Sequence, residues 1–146
     1  MEQKMIRCTV MRAGTSKGIF LHENDLPAEG EAREQTLLKI FGSPDVRQID
    51  GLGGADPLTS KVAIIAPPAS PDVDVNYTFG QVGITQPLVD FSGNCGNISS
   101  GVGPFAIDEG LVKALAPVTT VRIYNTNTGK ILVAEVQVKD GKAAVD

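Results

Sequence analysis

Phe91-Ser92-Gly93-Asn94-Cys95-Gly96-Asn97, continuing through Ile98 to Leu111, is the stretch on which the architecture of this chain turns. Past the polar pentapeptide Gly93 to Asn97, the residues Ile98, Val102, Phe105, Ile107 and Val112 line a helix. Ser99, Ser100, Gly101 and Gly103 crowd its first turns. Small residues there cost intrinsic helix stability but let other backbone come close. The expectation is therefore a buried helix.

On its N-terminal side, two short strands, Met5 to Met11 and Gly18 to Leu21, are expected around the small polar loop Arg12-Ala13-Gly14-Thr15-Ser16-Lys17. Pro27 to Phe41 predicts a helix: proline and acidic residues lie near its start, Leu37, Leu38, Ile40 and Phe41 make an apolar end, and Gly42 stops it. A glycine-rich loop from Ile49 to Ser60 then delivers Lys61 at the start of the apolar strand Val62 to Ala66. Pro67-Pro68-Ala69-Ser70-Pro71 interrupts regular structure, Val73, Val75, Tyr77 and Phe79 alternate as one face of a strand, and Gly80 to Gly83 are expected to re-aim the chain. Beyond the buried helix, the alternating runs from Val118 to Tyr124 and from Ile131 to Val138 form a hairpin about Asn125-Thr126-Asn127-Thr128-Gly129. A second tight turn at Asp140-Gly141 is followed only by Lys142 to Asp146, so the next strand scarcely begins and the chain reads as cut. With no internal repeat and no linker, residues 1–146 form one α+β domain of mostly antiparallel strands.

A chain of 146 residues, 42% hydrophobic and 21% charged, is enough for one substantial core. No apolar run reaches the ~18 residues of a membrane span, and Met1-Glu2-Gln3-Lys4-Met5 lacks the apolar core of a secretory signal, so no membrane partner and a cytoplasmic location are expected. Thirteen basic residues against 17 acidic ones give a net charge of −4, with no basic stretch interleaved with aromatics. That balance disfavours nucleic acid but leaves a small anionic ligand open, because a site uses local charge and aimed N–H groups. Two cysteines, Cys8 and Cys95, are too few for a disulfide framework and lack zinc-site spacing. Cys8, in an apolar strand, is expected to be structural, and the lone His22 to lie at the surface. Asp50, Asp56 and Asp90 show no metal-ligand spacing, so no metal site is expected.

Three places carry candidate chemistry. The glycines around Cys95 expose its thiol and leave backbone N–H groups free at a predicted helix N-terminus. Such a position binds carboxylate oxygens and stabilises a thiolate for proton transfer; the alternative is a turn that holds a small buried thiol. Lys61 is either a catalytic or carboxylate-pairing ammonium or a solvent-facing strand lysine; lysines are mostly exposed, which favours the latter, while Gly51-Leu52-Gly53-Gly54 ahead of it adds weight to the former by letting a substrate approach the backbone. Gly14-Thr15-Ser16-Lys17-Gly18 is either an anion-recognising loop or a solvated connection between strands. Neither glycine-rich segment has the spacing of a nucleotide-binding loop.

Taken together, Arg12 to Gly18, Asp50 to Lys61 and Phe91 to Asn97 resemble the PrpF-type isomerases, the 2-methylaconitate cis-trans isomerase family. The resemblance covers nearly the whole chain. It implies the diaminopimelate-epimerase-like fold, in which each of two related domains wraps antiparallel strands around a central helix and substrate binds between them. The helix after Cys95 would be that central helix. A complete member is more than twice as long, so the chain would be the N-terminal domain of a two-domain isomerase whose second domain is absent. The resemblance also implies a proton shift on an unsaturated polycarboxylate, with no metal, pyridoxal phosphate or other cofactor. Lys61 and Cys95 would then be the proton-transfer pair, with the acid and the base unassigned. Thr15, Ser16, Lys17, Gly53, Gly54, Asn94, Gly96 and Asn97 would be substrate contacts, with Gln86 a further candidate in the loop before the cysteine. Ala13 departs from the glycine of many relatives.

Two alternatives stay open at this point: an amino-acid racemase or epimerase on the same fold, and a non-catalytic carboxylate-binding fragment. Without a second wall the cleft would be open to water, and the chain alone is expected to catalyse little. Apolar surface left by a missing half would favour a homodimer.

Overall fold

The computed structural model describes residues 3–145. Its strands are β1 (Thr9–Ala13), β2 (Ser16–His22), β3 (Lys61–Ala66), β4 (Val75–Val82), β5 (Val89–Asp90), β6 (Val118–Asn125), β7 (Lys130–Lys139) and β8 (Lys142–Ala143). The helices are α1 (Glu31–Phe41), α2 (Gly96–Ser99) and α3 (Val102–Asp108). The strands form one sheet in the order β1-β2-β3-β4-β6-β7-β8, with β5 paired to β4. Five pairings are antiparallel, while β2–β3 and β4–β6 are parallel. The parallel pairs fall where a long crossover intervenes: α1 and the glycine-rich loop between β2 and β3, and α2 with α3 between β4 and β6.

The period-two alternation of the strands sorts their side chains onto two faces. Phe20, Ala63, Ile65, Tyr77, Phe79, Val121 and Ile123 pack with Ile98, Val102, Phe105, Ala106 and Ile107 of the helical segment. Ile19, Leu21, Val62, Ile64 and Val82 pack on Leu37, Leu38 and Phe41 of α1. The sheet thus curls around α2 and α3 and carries α1 on its other side. Among the described residues, no helix is long and apolar enough to cross a membrane.

The central helix is broken where the sequence predicts continuity over 98–111. Pro104 has no N–H for the Ser100 carbonyl and its ring crowds that oxygen, so the regular ladder fails at this turn. The N–H groups of Ser100 and Gly101 turn instead to the carbonyls of Asn97 and Ile98, at 3.2 and 3.0 Å, and the helix resumes with Phe105 N–H donating to Gly101. Small residues are required here as expected. A Cβ on Gly101 would press on Phe20 and Ala13, and one on Gly103 on Val136 and Ala134.

Other boundaries also shift. β1 starts at Thr9, and the loop over 12–17 shrinks to the two-residue turn Gly14-Thr15, because Gly14 takes a φ of +60° and lets pairing continue to Ala13↔Ser16. The first helix begins at Glu31, not Pro27, since Gly30 has a φ of +127° that cannot be helical; Gly42 ends it in the left-handed conformation as expected. Gly80 does not re-aim the chain: β4 runs on to Val82, and a side chain at 80 would collide with Val62, Val89 and Phe91. Cys8 precedes β1 and is half-buried against the α1-side cluster. His22 is not a free surface residue: its Nε2 lies 2.7 Å from Glu109 Oε1 and its ring tilts against Phe105, tying β2 to the end of α3.

Candidate active site

Parallel pairing of β2 with β3, in the register Gly18↔Lys61, puts the starts of both strands at one end of the sheet. Ser16 opens β2, Lys61 opens β3, and both side chains face the central helix. Cys95 is the residue from which α2 springs, and helix packing sets it over the same end. The result is a short polar chain: Lys61 Nζ lies 3.0 Å from Ser16 Oγ and 3.2 Å from Cys95 Sγ. All three are buried, with 3%, 7% and 8% exposure for Ser16, Lys61 and Cys95.

The thiol is held below its ordinary pKa. Burial, the largest single influence, pushes it up. The Ile98 N–H at 3.5 Å, the hydrogen bond and charge of Lys61, and the Asn97 N–H together outweigh that and pull it down. Tyr77 lies in the same buried cluster, and its hydroxyl has no hydrogen-bond partner among the described residues. Burial, and then the negative charge of Cys95, push the ionisation of that phenol up.

The segment carrying Cys95 is pinned from both sides. Asn97 Oδ1 accepts the Thr15 N–H at 3.3 Å, and Asn94 Oδ1 accepts a 3.0 Å bond from Asn125 Nδ2 at the end of β6. Asn125 Oδ1 in turn accepts the Asn127 N–H, while Asn127 Nδ2 donates to the carbonyls of Phe79 and Phe91. Nothing lies within 4 Å of where a Cβ on Gly96 would stand, so the residue after Cys95 faces open space.

Not every residue singled out from sequence joins this cluster. Lys17 faces away from Cys95 by strand alternation, and its Nζ donates to the Leu52 carbonyl of the glycine-rich loop at 3.1 Å. The N–H groups of Gly53 and Gly54 are already committed to Phe41 O and Thr59 O. The side-chain space at those two glycines is filled by Gln48 and Thr59. Gln86 is exposed in the β4–β5 connection, where the neighbouring Ile84 carbonyl accepts the Asp45 N–H. Thr15 remains at the turn beside Ser16, in a shallow depression with Arg12 and Thr59. The burial of Gln48, Ser60 and Asn125 is not legible in the sequence, where Ser60 reads as part of the glycine-rich loop and Asn125 as part of a turn, because an isolated polar residue carries no local signal of burial.

A curled sheet around a helix recurs in the hydroxyproline epimerase of Agrobacterium vitis, which matches 93% of this chain and 39% of its own with a TM-score of 0.59 at 15% identity. The chain accordingly has the diaminopimelate-epimerase-like fold. The crystal structure of a methylitaconate-delta-isomerase is far nearer, with a TM-score of 0.93 and 70% identity over 94% of this chain and 36% of that one. The family model described as PrpF protein matches residues 3–146, and the chain belongs to the PrpF family. Among curated relatives, the 3-methylitaconate isomerase of Eubacterium barkeri is 69% identical over 99% of this chain, and the 4-oxalomesaconate tautomerase of Pseudomonas putida 54% identical over 97%. The chain spans 38% and 39% of those relatives' lengths.

Proposed function

We propose that this chain is the N-terminal domain of a two-domain isomerase that shifts a proton on an unsaturated polycarboxylate, and that Lys61 and Cys95 move the proton. The observation that carries this reading is the buried 3.2 Å contact between Lys61 Nζ and Cys95 Sγ at the start of α2. The names of the relatives, a methylitaconate isomerase and an oxalomesaconate tautomerase, supply the substrate class.

A C–H next to both a carboxylate and a double bond is acidified, because the electron pair left behind spreads over the allylic system. The lowered pKa of Cys95 suits the thiolate to take that proton: the C–H bond breaks and an S–H bond forms. The Lys61 ammonium then gives a proton to the far allylic carbon, and the double bond moves. Passage of the thiol proton to the neutral amine across the 3.2 Å contact restores the starting pair. Acid and base both come from the chain, so the step needs no cofactor.

Substrate carboxylates would be met by the Gly96 N–H, by the Asn94 and Asn97 amide groups and by Thr15 with Ser16 at the strand turn. Gly53, Gly54 and Lys17 would shape the wall on the loop side, and Gln86 the rim. The second wall would come from the remainder of a longer protein.

Proton NMR in deuterated water tests the reading with the intact protein, methylitaconate and trans-aconitate. Exchange of a substrate proton or a new alkene isomer is expected, and is expected to vanish in Cys95→Ser and Lys61→Met. Intact protein that exchanges no proton on either compound would rule the reading out.

A further inference from the structure

Gln48 is the most thoroughly engaged buried side chain outside the Lys61–Cys95 pair. It is 1% exposed, and its backbone adopts a φ of +47°, a conformation that costs a residue with a side chain. Strain of this kind persists only where the surroundings hold it. Here the Gln48 N–H donates to Asp45 O and its carbonyl accepts the Gly51 N–H. The amide does more. Oε1 accepts the Ala55 N–H at 2.7 Å and lies 3.0 Å from Ser60 Oγ, while Nε2 donates to Ser43 Oγ at 3.0 Å. Ala55 also has a positive φ, +62°, so one side-chain oxygen anchors a second strained residue. The amide occupies the space that a Cβ on Gly53 would need.

Ser60 makes this more than a loop staple, because it is the residue immediately before Lys61. Its carbonyl accepts the Val82 N–H at 2.9 Å and Gln81 Nε2 at 3.1 Å, and its hydroxyl sits between Gln48 Oε1 and Asp56 O. The start of β3 is thus held from the β4 side by backbone pairing and from the loop side by Gln48. We infer that Gln48 is a positioning residue: through Ser60 it fixes the start of β3 so that the Lys61 ammonium stays between Ser16 and Cys95. The inference rests on the reading of Lys61 and Cys95 as the reacting pair, but its test needs no substrate.

The thiolate of Cys95 reports the position of Lys61, because the ammonium is one of the groups that favour it. In the intact protein, alkylation of the Cys95 peptide by iodoacetamide is followed against pH by mass spectrometry, for wild type, Gln48→Met and Ser60→Ala. Methionine keeps the length and volume of the side chain without its hydrogen bonds. Expected is a shift of the Gln48→Met profile to higher pH, with alkylation at pH 7 slowed about tenfold, the change in thiolate fraction for one pH unit. In the isomerase assay kcat should fall while KM holds, since Gln48 does not reach the substrate space. A folded Gln48→Met protein with an unshifted profile overturns the inference. Should that variant not fold, Ser60→Ala decides: it removes the hydroxyl that meets Gln48 Oε1 and Asp56 O, and an unshifted profile there overturns the inference equally. Failure of the substrate assay with a shifted alkylation profile would remove the isomerase reading and leave the role of Gln48 standing.

Discussion

Asn97 Oδ1 stands where a Cβ on Gly14 would have to go, and from there accepts the N–H of Thr15 at 3.3 Å. A residue in the first turn after Cys95 therefore clamps the hairpin that carries Ser16, and two motifs 82 positions apart become one structure. Asn97→Ala should cost about 1 kcal/mol in urea unfolding, the net value of one hydrogen bond. Gly14→Ala should cost at least as much, since it adds a left-handed penalty of about 1 kcal/mol to the collision. In the double variant the collision is gone, so the two costs should sum to more than the measured loss. Strict additivity would show that Asn97 does not clamp the turn.

Removing either member of the reacting pair should be far more damaging to turnover than to folding. Lys61→Met and Cys95→Ser are each expected to lower kcat by about 10² to 10⁴-fold, the range for a positioned acid or base. At pH 6 their melting temperatures should stay near that of the parent protein. A variant with kcat within threefold of wild type would remove that residue from the proton path.

The lowered pKa of Cys95 has a stability signature. Between the folded value and the higher unfolded value, the unfolded chain binds more protons than the folded one, so stability rises with pH across that window. The contribution is complete above the ordinary thiol pKa of about 8.5 and is lost as pH falls through the folded value. The difference in unfolding free energy between wild type and Cys95→Ser should therefore grow from pH 6 to pH 9. A difference that stays flat with pH would mean that the thiol is not held as a thiolate.

Tyr77→Phe should stabilise the protein, because it deletes a fully buried hydroxyl that has no partner among the described residues. An unmade buried hydrogen bond costs about 1 to 3 kcal/mol, and the phenyl ring keeps the packing. Loss of stability in thermal unfolding would show instead that the hydroxyl is satisfied in solution.

Much of the fold was legible because its signals are local. The alternation in Val75, Tyr77 and Phe79, the β6–β7 hairpin, and the small residues at Gly101 and Gly103 depend on period and size, which the sequence displays directly. The break in the central helix is written in the sequence too, as Pro104, although the apolar pattern on either side reads as one continuous helix. Gly80 misled for a related reason. A glycine marks either a turn or a close approach, and only the position of β5 and Phe91 selects between them.

By itself the sequence determined which residues were chemically equipped: a thiol between glycines, a lysine at the head of a strand, and hydroxyls in a tight turn. The tertiary structure decided which of them meet. Ser16, Lys61 and Cys95 converge because the parallel pairing of β2 with β3 aligns two distant strand starts and helix packing sets the start of α2 over the same end of the sheet. Lys17, next to Ser16, is turned to the opposite face by the same alternation. The N–H groups of Gly53 and Gly54 likewise looked available until Phe41 and Thr59 claimed them. The physical reason is common to all of these. Residue type fixes what a group can do, but register and crossover fix its neighbours, and those are set by packing across tens of residues.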